Sequence, residues 1–382
     1  MNKVFVIALV MILAVSMVPL GCAEQLNGNA DGGNVTPPVG QNIELDFVTF
    51  FPAWQFQAAI GHVNWMKTLE DRVATETAHT LKINLHYGAH GKIPAQVQDG
   101  TYDIGVFGVA VASDMLPLWR GLEYPGGLYR NNALTMSMAA QALYDEFTAL
   151  QDEMAAQNLK VMHFWSSGPW YFFMTPGNEV RTLADFPGKT IRVSCLWHEP
   201  CIQALRADAL FVALSQAIEK FQAGLIDGIL CPGDLPGRYM LGAHVKHSTF
   251  APFSYQFVFA KVMNEDTWNA LPPEVQAIFD EVNAAWPEYY GKLRAWGEAK
   301  GLQFCYGVVP GFTCYDLPKE DPTEYAAWVA TTEHLVKEWI GENATRHVLW
   351  HKFVELDEYY ATTEPWSTWA PDGRPPAVPT FP

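Results

Sequence analysis

The most constraining part of the sequence is the stretch from residue 182 to 233, in which strand-like and helix-like patterns alternate. The alternating run from Thr190 to Val193 predicts a half-buried strand that carries Arg192 near its end. Apolar runs at 209–212 and 226–230 predict two more strands, and apolar residues at helical spacing between them predict an amphipathic helix. This alternation predicts a parallel sheet covered by helices, in which ligands bind at the carboxyl ends of the strands.

The net charge bears on the role of Arg192. The chain has 24 basic and 41 acidic residues and a formal net charge of −17. Nucleic acid is not expected as a partner, because binding to phosphates requires patches of Lys and Arg that this chain lacks. An arginine at the end of a strand in so acidic a chain predicts either an anion-binding site or a structural ion pair. We favour the anion-binding site.

The order of motifs in this stretch resembles the substrate-binding proteins of TRAP-type (tripartite ATP-independent periplasmic) transporters, the dicarboxylate-binding-protein-like family. The family's Pro-Gly-Leu-Lys-Ile-Arg strand is matched by Pro187, Gly188, Lys189, Ile191 and Arg192. Its amphipathic helix closing on Gly-x-x-Asp-Gly is matched by Leu214, Ala223, Gly224, Ile226, Asp227 and Gly228. Residues 264–276 are similar to a third family motif, Asn-x-x-x-Trp-x-x-Leu-Pro-x-x-x-Gln, and the resemblance covers roughly residues 43–299.

The resemblance implies an α/β, two-lobed periplasmic binding protein fold with a ligand cleft between the lobes and long connecting helices. Lobe I would comprise residues 43–165 and about 251–300, and lobe II residues 166–250. Residues 301–382 would form C-terminal helices and a tail that pack across the lobes. Apolar periodicity predicts one long helix over 134–157.

The resemblance also implies a ligand site around Arg192, whose guanidinium would bind a carboxylate through two parallel hydrogen bonds. Closure of the lobes would remove water and strengthen these contacts. The pocket would be lined by residues from the first loop, the lobe crossing and the later strands, namely Phe51, Trp54, Trp165, Ser167, Trp170, Cys231 and Tyr255. The alternative for the aromatic residues is a packed core at the lobe junction, since large rings are usually buried.

The wall that follows Asp227 and Gly228 departs from the family pattern. Many members have an Asn or a Glu-Trp pair there, whereas this chain has the largely apolar run 229–232. The lost polar groups argue against hydroxylated sugar acids and metal-bridged keto acids. We therefore expect the ligand to be an organic carboxylate with an apolar or aromatic body.

The amino terminus has the layout of a bacterial lipoprotein signal. Lys3 precedes an apolar run over 4–20 and the pair Gly21-Cys22, which predicts a signal peptide over 1–21 and lipidation of Cys22. An ordinary cleaved signal and a transmembrane anchor are the alternatives. Residues 22–42 are rich in Gly, Asn and Pro and predict a flexible tether, so we expect a periplasmic protein that meets the membrane only through Cys22.

Five of the six cysteines follow Cys22. Cys195 with Cys201, and Cys305 with Cys314, could each form a disulfide in an oxidising compartment, which would leave Cys231 over. Buried free thiols are the alternative. The spacing alone does not decide the connectivity.

Catalytic and metal-binding motifs are scarce. The chain has no Gly-x-Ser-x-Gly elbow, P-loop or His-Glu-x-x-His. Two histidine pairs, His347 with His351 and His244 with His247, offer two donors each, whereas closed metal sites need three or four. The cluster at 195–201, which includes His198 and Glu199, could hold a soft metal or be a cleft loop stapled by a disulfide. We predict no metal or cofactor.

These patterns together predict the periplasmic solute-binding component of a TRAP transporter, which is not an enzyme. It would capture the carboxylate by lobe closure and deliver it to the membrane permease subunits. Two alternatives belong to other classes: a ligand-sensing or scaffolding envelope lipoprotein, and a periplasmic metal-dependent enzyme built on the 195–201 cluster.

Overall fold

The computed structural model describes residues 40–51, 56–123, 132–194, 196–212, 214–238, 244–251, 257–363 and 376–381. The signal peptide, Cys22 and most of the predicted tether lie outside these ranges, as do three predicted site residues, Trp54, Cys195 and Tyr255. None of the described helices is long and apolar enough to cross a membrane.

Two sheets organise the fold, as the resemblance predicted. The first sheet has the strand order β2-β1-β3-β10-β4 and the second the order β11-β9-β5-β8-β6-β7. The strands of the first sheet are β1 Asn42–Thr49, β2 Thr80–Tyr87, β3 Ile104–Gly108, β4 Leu159–Ser166 and β10 Val258–Asn264. Those of the second are β5 Trp170–Met174, β6 Thr190–Val193, β7 Asp208–Phe211, β8 Gly228–Pro232, β9 His247–Phe250 and β11 Thr313–Asp316. We call the first sheet with its helices lobe I, and the second sheet with its helices lobe II.

The helices of the first half of the chain are α1 Phe56–Glu76, α2 Ile93–Gln98, α3 Pro117–Arg120, α4 Ala133–Glu146, α5 Thr148–Ala155, α6 Glu199–Ala204, α7 Leu214–Gln222 and α8 Leu235–Arg238. Those of the second half are α9 Glu265–Ala270, α10 Pro273–Val308, α11 Leu317–Glu320, α12 Pro322–Thr332, α13 His334–Ile340 and α14 Ala344–Thr363.

Both sheets are mixed rather than parallel throughout. Strand β10 runs antiparallel to β3 and β4, and β5 runs antiparallel to β8 and β9. Each of these two strands is the first one after the chain has passed from one sheet to the other. A strand that enters from the edge where its neighbours end must run against them. The parallel arrangement expected for the 182–233 stretch is confirmed, because β6 pairs in parallel with both β7 and β8.

The long helix expected over 134–157 is two helices. Phe147 has an extended backbone, with φ −115° and ψ 104°, and separates α4 from α5. The side chain of Gln151 donates to the carbonyl of Tyr144 at 2.8 Å, which satisfies one of the carbonyls exposed at the end of α4. Both helices have apolar residues at helical spacing, so the pattern did not reveal the break.

Lobe I is a sheet between two helical layers. One face packs against α1 and α10 through rings such as Trp65 and Phe279, and the other packs against α4 and α14 through Leu143 and Phe353. The end of the chain returns to this lobe, because the ring of Phe381 packs on the core with the guanidinium carbon of Arg72 4.8 Å from its centre.

The helix α10 is 36 residues long and contacts both lobes. Pro273 occupies its first turn, where a missing N–H is tolerated. Its first half packs on α1, α4 and β4, and its second half reaches the segment after β8, where Gly301 lies against the backbone of Gly233 and Asp234. The chain then continues into β11, a strand of lobe II that the sequence patterns did not predict.

The described cysteines are free thiols: Cys201, Cys231 and Cys305 are buried and Cys314 is half-buried. Cys305 ends α10 and Cys314 lies on β11. The disulfide expected between Cys305 and Cys314 is therefore not formed in this structure. The second expected pair depends on Cys195, which lies outside the described residues.

Candidate ligand-binding cleft

Arg192 lies on β6, which pairs with β8 and β7 in lobe II, as the strand pattern predicted. It is only 3% exposed. Its Nε donates to the carbonyl of Val212 at 3.0 Å and its Nη1 donates to the hydroxyl of Ser194 at 2.8 Å. These two contacts fix the orientation of the guanidinium.

His198 and Cys231 are the titratable neighbours of Arg192. Burial lowers the pKa of His198 well below its usual value, and the charge of Arg192 lowers it further. Burial raises the pKa of the Cys231 thiol well above its usual value, and Arg192 partly opposes this shift. Imidazole and thiol are therefore neutral beside the guanidinium. Cys231 also packs in the apolar cluster of lobe II, so it belongs to the core behind the candidate site more than to the surface that would contact a ligand.

Aromatic rings from both lobes meet beside Arg192. The indole of Trp170 makes an edge contact with His198, at 4.7 Å between ring centres, and with Phe257 at 5.3 Å. Phe257 and His198 are 5.2 Å apart. Trp170 begins β5 in lobe II, whereas Phe257 directly precedes β10 in lobe I. This three-ring contact closes the junction between the two sheets.

Ser167 positions these rings rather than offering its hydroxyl to a ligand. Its Oγ accepts a hydrogen bond from the indole N–H of Trp170 at 2.9 Å and another from the backbone N–H of Phe257 at 3.0 Å. The hydroxyl donates to the carbonyl of Gly168 at 3.1 Å. Its capacity is thus used within the protein, at the point where the chain crosses between lobes.

Trp165 has both faces of its ring covered. Phe259 stacks on one side at 4.2 Å, and Tyr290 of α10 stacks at 4.7 Å with the ring planes 9° apart. The side chain is fully buried. For Trp165, the aromatic core that we gave as the alternative describes the structure better than a ring that sandwiches a ligand.

The first loop contributes Phe51, which is 5.4 Å from Trp165 and 5.3 Å from Phe259. Its neighbour Phe50 stacks on His90, with ring centres 3.6 Å apart. The Nε2 atom of His90 accepts a hydrogen bond from the backbone N–H of Gly108 at 2.8 Å, which places the ring proton on Nδ1. Burial lowers the pKa of His90 to about 3, so this ring is neutral as well.

The sequence reasoning placed Arg192, Trp170 and Phe51 in this region and His198 in a candidate cleft loop, but it missed His90 and Phe257. The neighbours of Phe257 depend on how β10 returns between the sheets, which a pattern along the chain does not reveal. Within the described ranges, no three His, Cys, Asp or Glu side chains converge as metal donors, so the alternative of a metal-dependent enzyme gains no support there.

Two mixed sheets joined by crossing strands, with a buried arginine and neutral rings where they meet, define a two-lobed solute-binding protein. The family model for bacterial extracellular solute-binding protein, family 7 (DctP), matches residues 60–343. The chain belongs to this family and is a TRAP-type solute-binding protein, as its motifs predicted.

One curated relative is the C4-dicarboxylate-binding periplasmic protein DctP of Rhodobacter capsulatus. It is 24% identical to this chain over 155 residues, which are 40% of this chain and 46% of the relative. The match therefore spans less than half of the length of that protein.

Solved structures of TRAP solute-binding proteins share the fold. One from a marine metagenome, specific for aromatic acid ligands and holding 3-hydroxybenzoate, has a TM-score of 0.73 and 20% identity, covering 84% of this chain and 99% of that one. One from Rhodoferax ferrireducens, holding copurified benzoate, has a TM-score of 0.71 and 19% identity over 84% and 99%. One from a Sulfitobacter species, holding β-D-galacturonate, has a TM-score of 0.67 and 15% identity over 81% and 99%.

Proposed function

We propose that this protein captures an organic carboxylate with an apolar or aromatic body and delivers it to the membrane permease of a TRAP transporter. The observation that carries the proposal is the environment of Arg192, a buried guanidinium that Val212 and Ser194 orient beside neutral rings. A carboxylate that reaches such a guanidinium gains charge-assisted hydrogen bonds in a site with little water.

The choice among carboxylates rests on the residues around Arg192. The solved structures named above hold aromatic acids in two cases and a sugar acid in one, so the fold does not select the ligand. Around Arg192 the chain places Trp170, Phe257 and the neutral ring of His198. A sugar acid needs hydrogen-bonding partners for several hydroxyl groups, whereas these rings offer apolar area. They favour an aromatic acid.

Capture requires the cleft to open and close, because Arg192 is buried here. The lobes are joined by two strand crossings and by α10, and Gly168 in the first crossing has a φ of +82°, which glycine adopts readily. We propose closure of the lobes on the ligand and release to a permease. In the same scheme the protein is periplasmic, is anchored through a lipid on Cys22, and has no catalytic activity.

The central test is calorimetric titration of the mature protein with benzoate and other aromatic acids. We expect one site per chain and a loss of affinity of at least about a hundredfold in Arg192→Met, which removes a charge-assisted, bidentate contact. Arg72→Met on α1 is the matched control, since its ion pairs with Glu76 and Glu281 lie on the surface of lobe I. Undiminished binding by Arg192→Met would overturn the proposal.

Transport is tested separately. A membrane permease reconstituted in vesicles should accumulate the acid only when the binding protein is present, and the Arg192→Met protein should not support uptake. If uptake does not depend on the binding protein, the transport role is overturned and a sensing or scaffolding role replaces it.

A further inference from the structure

Glu123 is a buried carboxyl on the lobe I side of the cleft. It ends a short 3₁₀ turn at Gly121–Glu123 and is 2% exposed. Its Oε1 accepts a hydrogen bond from the backbone N–H of Val258 at 2.8 Å, and the backbone of Ala110 also hydrogen-bonds to the carboxyl. Val258 begins β10 and Ala110 lies just after β3. The carboxyl therefore bridges two strands at the edge of lobe I that faces the cleft.

The second oxygen of this carboxyl has no partner in the part of the chain that the structure describes. Oε2 of Glu123 is buried and makes no hydrogen bond there. Burial raises the pKa of Glu123 well above its usual value, and only the two backbone N–H groups oppose the shift. Among the described residues, no charged side chain contributes to this shift. A carboxylic acid whose Oε1 accepts from the backbone has its hydroxyl on Oε2 and can donate from there.

Phe257 connects this position to the candidate ligand site. It is the residue before Val258, and its ring contacts both Trp170 and His198 beside Arg192. On the other side its ring is 6.2 Å from His90 and lies against Gly108, at the end of β3. Phe257 thus contacts the rings beside Arg192, and the residue that follows it donates its backbone N–H to Glu123.

We propose that Glu123 determines specificity by donating a hydrogen bond from its protonated carboxyl to a second oxygen of the ligand, remote from the carboxylate bound by Arg192. The inference rests on the proposed function and narrows the ligand to an aromatic acid that carries a hydroxyl or carbonyl oxygen. A buried donor rejects an analogue that lacks its acceptor, because the donor is then left unpaired.

The test compares benzoate with the three hydroxybenzoates and 3-hydroxyphenylacetate by calorimetry. We expect the wild-type protein to bind at least one oxygenated acid tenfold or more tightly than benzoate. Glu123→Gln presents an amide N–H₂ at the same place and should keep this ratio. Glu123→Met has no donor, so it should bind the oxygenated acid and benzoate with affinities within about twofold of each other. Its affinity for benzoate itself should be little changed.

Glu153 on α5 provides the matched control. It too accepts a backbone N–H on Oε1, from Leu118 at 2.8 Å, and has a buried Oε2 without a partner among the described residues. It packs on the far side of lobe I, beside α3. Glu153→Gln and Glu153→Met should leave the ligand ratio unchanged.

The outcomes separate the two proposals. If Arg192→Met abolishes binding while Glu123→Met keeps the wild-type ratio, or if the wild-type protein does not discriminate among the acids, the role of Glu123 is overturned and the proposed function stands. If neither benzoate nor any of the oxygenated acids binds to the wild-type protein, the proposed function itself is overturned. Should Glu123→Met not fold, the wild-type ratio measured at rising pH replaces it: it should fall as Glu123 loses its proton, whereas the ratio of Glu123→Gln should stay constant.

Discussion

Arg294 of α10 and Asp234, which follows β8, form an ion pair in which Nη1 lies 2.8 Å from Oδ2. The two side chains are 4% and 1% exposed. Arg294 also donates from Nη2 to the carbonyl of Ser167 at 3.3 Å. One buried guanidinium therefore ties the long helix to lobe II and to the crossing between the lobes.

Removing one partner of this pair should be costly. Asp234→Ala leaves a buried positive charge, and we expect the free energy of unfolding to fall by about 3–5 kcal/mol in urea titration. Asp71→Ala is the control, because its partner Lys67 is 2.7 Å away but both side chains are mostly exposed; such a pair contributes at most about 1 kcal/mol. Equal effects of the two substitutions would contradict a special role for the buried pair.

Glu298, one turn after Arg294, should make stability depend on pH. The pKa of Glu298 is raised to about 7, chiefly because the carboxyl is buried; Tyr171 opposes the rise, Asp234 adds to it and Arg294 opposes it. Tyr171 donates to Oε1 at 2.7 Å. Because the folded pKa exceeds the unfolded one, this stabilisation is complete below about pH 4.5 and is lost as the pH rises through 7.

The pH dependence of the free energy of unfolding should differ between the wild type and Glu298→Gln. The amide cannot ionise, so the free energy of unfolding of the variant relative to wild type should rise by about 3 kcal/mol between pH 4 and pH 8. A flat difference for Glu298→Gln would show that the pKa of Glu298 is the same in the folded and unfolded states.

Lys261 in the middle of β10 should be destabilising. Its ammonium is 3.7 Å from the centre of the Trp65 ring, is fully buried, and has no hydrogen-bond partner within the described ranges. Burial lowers its pKa well below the usual value. We expect Lys261→Met to raise the free energy of unfolding by about 1–3 kcal/mol at pH 7, because an unsatisfied buried group is removed.

The sign of the pH effect follows from that lowered pKa. The unfolded chain takes up a proton at Lys261 that the folded chain does not, so the gain in Lys261→Met should shrink as the pH rises toward 10. Lys160→Met is the control, since that ammonium lies over the ring of Trp268 at the edge of the sheet. Destabilisation by Lys261→Met would mean that the ammonium makes a contact on which the fold depends.

Two glycines of α10 should respond oppositely to alanine. A Cβ on Gly301 would be 2.2 Å from the backbone oxygen of Gly233, whereas a Cβ on Gly307 meets nothing within 4 Å. Gly301→Ala should cost about 1–3 kcal/mol through overpacking, and Gly307→Ala should stabilise by up to about 1 kcal/mol through helix propensity. Thermal unfolding of the two variants measures both, and a stabilised Gly301→Ala would show that the helix and lobe II are not in tight contact.

The sequence predicted most of the local structure and the position of Arg192. Alternation from 190 to 193 and the apolar runs that follow are confirmed as β6, β7 and β8. Such patterns report which residues are buried, not which strand lies beside which. The direction of β5 and β10 and the existence of β11 depend on long-range pairing and were therefore missed.

The site was predicted less completely than the fold. Trp165, Ser167 and Cys231 are close to the junction, but Trp165 is covered on both faces, Ser167 has its hydroxyl engaged, and Cys231 packs in the core of lobe II. Glu123 carries no motif, because its environment is made by two backbone segments, at Ala110 and Val258, that are far apart in the chain.

Because α10 is long, a small bend in the helix would produce a large displacement at its far end. At about 1.5 Å per residue its 36 residues extend for about 54 Å. Pro287, near the middle of α10, has no N–H to donate to the carbonyl of Asn283. The helix should therefore bend most easily just before the half that carries Arg294 and Gly301. A bend of about 5° there would displace the far end by about 3 Å. A small angular change at one residue is thus converted into a shift the size of a hydrogen-bond contact at lobe II.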